Sequence, residues 1–142
     1  MLKTKDVWEK LVSEMEELDL FKEVRACPFN RINDVQFLKD FPGLKMPGCL
    51  IVFLGREDEM RGAAHDRTDR WSAVVVVKDA GGDGWGDAVD MVDKIQDKFL
   101  DRQIMAANAL TIHGSSEVGV AFTSLRFSVY EVSFVTRQAE AR

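Results

Sequence analysis

The sequence predicts an α+β domain in which a single mixed or mostly antiparallel sheet carries two helices packed on one face. Three observations predict it. Two segments repeat apolar residues at the 3.6-residue helical period. Several other segments are continuously apolar or alternate with period two, as strands do. The order is helix, strands, helix, strands, which suits an α+β layer packing better than the regular alternation of a doubly wound sheet.

Thr4 to Asp19 reads as the first helix. Val7, Trp8, Leu11, Val12, Met15 and Leu18 form one stripe, and Thr4 or Asp6 is placed to cap its start. Phe21 to Arg25 fits a first, edge strand. Cys27 to Pro47 holds all three prolines of the chain and reads as an irregular crossover with a helical turn at Asp34 to Asp40. Cys49 to Leu54 is apolar throughout, which predicts a strand buried on both faces.

Gly55 to Arg70 is almost wholly polar. That composition predicts a mobile loop or an exposed hairpin tip. Trp71 to Lys78 is the clearest strand, and Asp79 to Gly86 is a glycine-rich turn. Asp87 to Leu100 reads as the second helix, burying Ala88, Met91, Val92, Ile95 and Phe99, with Asp83 or Asp87 at its cap. Ala109 to His113 and Leu125 to Val135 are strands. In the second of these the apolar phase flips from Leu125, Phe127 and Val129 to Tyr130, Val132 and Phe134, which demands either a bulge or burial on both faces. Gln138 to Arg142 is expected to fray.

At 142 residues the chain is expected to be one domain, 1–142, and 46% hydrophobic residues suffice for a core. A net charge of -5 without a basic run speaks against general nucleic-acid binding. The charged start lacks a signal-peptide core and no apolar run approaches the roughly 20 residues of a membrane span, so the expectation is a soluble protein made in the cytoplasm. Cys27 and Cys49 lack any motif and fit a reducing compartment, although spacing alone leaves a disulfide between them open.

Few residues suggest chemistry. A calcium loop would use Asp79, Asp83, Gly84 and Asp90 at positions 1, 5, 6 and 12, with Asp87 nearby, but Gly81 stands where position 3 needs a ligand. A strand-to-helix turn with acidic caps accounts for the same residues. A phosphate cradle would need the Gly-Lys-Ser/Thr that this turn lacks. His65 and His113 sit in neither a metal motif nor a nucleophilic triad. The reading is therefore of a protein that is not an enzyme, with no cofactor. Trp85, in the glycine-rich turn, serves equally as a lid on the sheet edge or as an aromatic anchor at an interface.

Taken together, the chain resembles the tail terminator and tail-completion proteins of tailed bacteriophages and prophages. The resemblance lies in an amphipathic start with Trp8 and Leu11 leading to Phe21-Lys22-Glu23-Val24, and in a stretch with Pro42 and Pro47 running into a buried strand. It continues through the long polar loop, Trp71 to Lys78, the helix from Asp87 to Leu100, and the closing Phe127 to Phe134. It implies a small structural subunit of the virion tail that forms a ring, commonly six-fold, on the head-proximal end of the tail tube. Its partners would be further copies of itself, the tail tube protein and a head-joining protein, with neither membrane nor specific nucleic-acid binding. A ring uses a heterologous interface. The expected patches are the second helix with Trp85, and the polar segment with Arg56, Arg61, Arg67 and Arg70. The alternatives are a small metal- or ligand-binding protein using residues 79–90, and a monomeric adaptor domain.

Overall fold

A computed structural model of the chain describes residues 1–27, 43–78, 85–99, 102–105, 110–123 and 127–141. It shows helices α1 (Thr4–Glu16) and α2 (Trp85–Lys98), and strands β1 (Glu23–Cys27), β2 (Gly48–Arg61), β3 (Ala64–Lys78), β4 (Arg102–Met105), β5 (Leu110–Thr123) and β6 (Phe127–Ala141). The strands form one mixed sheet in the order β1-β2-β3-β6-β5-β4. β1 runs parallel to β2, and each of the other four pairings is antiparallel.

Both helices turn their predicted stripes to the sheet, with Trp8, Val12, Leu18 and Met91 only half-buried at the margin of the core. Val7, Leu11 and Met15 of α1, and Ala88, Val92 and Ile95 of α2 with Phe99 beyond its end, join one core with Cys49, Ile51, Trp71, Ala73, Val75, Val132 and Phe134 of the sheet. Trp71 is the largest fully buried side chain; its ring meets those of Trp8 and Phe53 edge-on, at 5.7 and 5.1 Å between centroids. Buried indoles keep a polar handle satisfied. Trp71 Nε1 donates to Thr136 Oγ1 at 2.9 Å, and Trp8 Nε1 donates to the Ile51 carbonyl at 2.8 Å. Lys98 at the end of α2 reaches Glu14 and Glu17 at the end of α1, at 3.3 and 3.1 Å, and so ties the two helices together.

A smaller cluster occupies the opposite face of the sheet: Cys27, Leu44, Leu50, Val52, Val74, Val76 and Val129. It resolves the phase flip of the last strand. β6 pairs with β3 without a register break from Phe127 to Ala141, Val129 lies in this second cluster, and Val132 and Phe134 lie in the first. Burial on both faces, not a bulge, accounts for the pattern. Cys27 and Cys49 belong to different clusters on opposite faces of the sheet, which rules out a disulfide between them within one chain.

Several expectations need correction. Of the two readings of Gly55 to Arg70, the exposed hairpin holds and the loop does not: β2 and β3 run on through the segment as a paired hairpin that turns at Gly62–Ala63, with Gly62 at φ +54°. Two of its charged pairs, Arg56 with Asp69 and Asp58 with Arg67, face each other across the ladder. Gln138 to Ala141 is not a frayed end but continues β6 against β3 as far as Ala64↔Ala141. The Gln138 side-chain oxygen accepts the Leu2 amide at 2.9 Å, and Glu140 pairs with the terminal ammonium of Met1. β4 went unpredicted, and β5 runs ten residues past His113. α1 ends at Glu16, before Asp19 takes a left-handed φ of 54°. Neither Thr4 nor Asp6 caps α1: its cap position is Lys3, without a side-chain cap bond, because the Thr4 hydroxyl is used elsewhere. α2 begins at Trp85, with Asp87 in its first turn. The helical turn expected at Asp34 to Asp40 lies outside the described residues. Among the described residues no helix is long and apolar enough to cross a membrane.

Candidate functional site

The polar halves of β2, β3 and β6 form the most chemically distinctive region of the described chain. β2, at 14 residues, extends about 46 Å at the usual rise per residue, and only its first third is apolar on both faces. On the helix side, the antiparallel register around Gly62–Ala63 sets Arg56 opposite Asp69 and Asp58 opposite Arg67. Asp69 is fully buried, and Arg56 grips it with two bonds, Nε to Oδ1 at 2.7 Å and Nη2 to Oδ2 at 3.1 Å. The same Nη2 donates to Thr4 Oγ1 at 2.6 Å, so the fork also anchors the start of α1. The bond to Asp69 holds the guanidinium still more firmly protonated than usual.

Further out, Asp58 Oδ1 accepts from Arg67 Nε and lies against His65 Nε2, both at 2.9 Å. These bonds hold its carboxyl below the ordinary aspartate value, that from Arg67 most of all. His65 is therefore a strand residue in an ion-pair cluster rather than a solvated loop histidine. An Asp–His pair can orient a general base, but catalysis also needs a nucleophile on the other ring nitrogen. Among the described residues none is bonded there, and the same carboxylate oxygen is shared with Arg67. The thiols are no substitute: both are buried, and burial pushes the Cys49 pKa far above its ordinary value.

The other face of the hairpin carries an open groove of about 590 Å³ lined by Glu57, Glu59, Asp66, Thr68 and Arg137 among others. Glu59 stands directly opposite Asp66, and Arg61 Nε relieves that repulsion by donating to Glu59 Oε1 at 2.7 Å. Met60, 59% exposed, is the most exposed large apolar side chain near the turn.

The residues expected at an interface thus separate. Arg56, Arg61 and Arg67 are engaged within the chain, with Asp69, Glu59 and Asp58 respectively. Arg70 is exposed, lies over Gly55, and has no ion-pair partner among the described residues. Trp85 opens α2, with Asp87 and Asp90 exposed on that helix. Asp79 and Asp83 lie outside the described residues. No group of three potential metal ligands occurs among the described residues. Sequence reasoning missed Asp69, Asp58 and Thr4. Folding the segment about Gly62–Ala63 reveals the first two, since it sets Arg56 and Arg67 against acids. No protein-family model matches the chain, and a comparison with curated proteins finds no match.

Proposed function

We propose that this chain is a structural virion protein, a tail terminator that forms a ring capping a phage tail tube and joining tail to head. In this reading it is not an enzyme and uses no cofactor. It works in the virion tail after assembly in the bacterial cytoplasm, in contact with further copies of itself, the tube protein and a head-joining protein. The mostly antiparallel sheet, with both helices closed over one face, is its subunit body.

The observation that carries the reading is the charged extension of β2, β3 and β6, in which β3 pairs with both of the other strands. It costs ordered backbone and makes no apolar core of its own. A rigid, polar projection of that kind is suited to contact another protein. The exposed Arg70 on this projection and Trp85 at the start of α2 are the proposed contact residues. A ring subunit needs two unlike patches, and an interface completed by the tube can be weak without it.

Sedimentation and negative-stain electron microscopy of the purified chain over rising concentration test the reading. The expected result is one closed ring size, its onset shifting with ionic strength because exposed charges are screened over roughly 8 Å at 0.15 M salt. A monomer at every concentration and salt, still monomeric in the presence of tail tubes, would favour the monomeric adaptor instead.

A further inference from the structure

We infer that neighbouring copies join through their sheets, the β4 edge of one copy lying along the open outer half of β2 in the next. This rests on the ring reading above and names its interface. The strand pairings show a stepped sheet. One row of partners runs Val24–Cys49–Val75–Tyr130–Val120, crossing β1, β2, β3, β6 and β5. A second row, toward the hairpin turn, runs Arg56–Asp69–Thr136–Ile112–Arg102, crossing β2, β3, β6, β5 and β4. Each row is five strands wide, but the second is displaced by one strand.

On one side, therefore, β1 projects and β2 is recessed: β1 pairs only with Gly48 to Val52, and Phe53 to Arg61 keep an outer edge with no strand partner among the described residues. On the other side, β4 projects beside Leu110 to Ile112, and beyond Ile112 that edge of β5 has no strand partner among the described residues. Each edge has its projection where the other has its recess. Side by side, the two profiles interlock: β4 enters the recess beside β2 of the next copy, and that copy's β1 enters the recess beside β5.

Strand direction and charge agree with that joint. From β2 to β4 the sheet takes four antiparallel steps, so β2 and β4 point the same way. Rotation about a ring axis that runs along the strands preserves their direction, so the β4–β2 pairing in such a ring is parallel. Unpaired strand edges invite such addition unless something blocks it. Here the blocking is selective. The open β2 edge carries the run Glu57-Asp58-Glu59, so two β2 edges meeting head-on set acid against acid; β4 carries Arg102 and no acid. Self-pairing of like edges is disfavoured, and the unlike, ring-closing pair is left.

Disulfide trapping of the full-length chain tests this. Gln103→Cys is combined with Glu57→Cys or with Glu59→Cys, and each single variant is the control; native Cys27 and Cys49 are buried and do not compete. Mild oxidation of a double variant is expected to convert the monomer band into a ladder that stops at one discrete size, while singles stay monomeric. A dimer from Glu57→Cys or Glu59→Cys alone would mean β2–β2 pairing and overturn the inference. No ladder from either double variant, with unchanged circular dichroism, would overturn it as well. Sedimentation of the unmodified chain at the same concentrations separates the failures: rings without cross-links place the interface elsewhere, whereas no rings removes the ring reading too.

Discussion

Removing Arg56 should destabilise the protein more than removing Asp69, although the two form one ion pair. The Asp69 side chain is 1% exposed and the Arg56 side chain 26%. In Arg56→Met the carboxylate stays buried without its counter-ion, and breaking a buried pair from one side costs roughly 3–5 kcal/mol. The same change releases Thr4 and removes the guanidinium from its place 5.8 Å from the Phe53 ring centroid. In Asp69→Ala the stranded guanidinium can turn toward water, and the cost falls to that of its charge-assisted bonds, about 1.5–3 kcal/mol. The double variant Arg56→Met/Asp69→Leu leaves no buried charge and should recover most of the loss, as apolar replacements of buried pairs do. Urea unfolding at neutral pH measures all three, and the cycle isolates the coupling. An Arg56→Met variant that loses less than Asp69→Ala would refute the argument, because the buried carboxylate would then not be the costly partner.

Two further perturbations test the core and the opposite face. Trp71→Ala removes the largest buried side chain and strands the Thr136 hydroxyl, so a loss of about 3–5 kcal/mol is expected in the same assay; a loss under 1 kcal/mol would contradict the packing. Burial raises the Glu131 carboxyl above the usual glutamate value. A raised folded-state value means stability is full while the group is protonated in both states and falls as pH climbs through the window between the unfolded and folded values. Glu131→Gln should therefore raise the melting temperature at neutral pH, and the gain should vanish below the ordinary glutamate range. A gain that persists in acid would point to another cause.

Both helices are legible in the sequence because their stripes are complete: Val7, Leu11 and Met15, then Ala88, Val92 and Ile95, all land in one core. The apolar strands around Leu50 and Val75 are legible for the same reason, since burial on both faces leaves a continuous run. The hairpin extension was legible only as an alternative to a loop because its strands are stabilised across the ladder, by pairs such as Arg56–Asp69, and composition along the chain cannot see a partner on another strand. β5 was cut short at His113, where Gly114, Ser115 and Ser116 read as turn residues. There the register against β6 slips between Gly114 and Val118, which a strand pattern cannot anticipate. The candidate site was legible only as its arginines; the buried Asp69 and the exposed Asp58, which hold Arg56 and Arg67, emerge from the register.

The ring-capping account is tested most directly by adding the purified chain to polymerising phage tail tubes and measuring tube lengths by electron microscopy. The account predicts that growth stops, giving discrete lengths with a ring of this protein at one end, and that Trp85→Ala or Arg70→Ala weakens capping if those side chains anchor it. Tubes that grow on to the lengths seen without the protein, with none bound at either end, would contradict it.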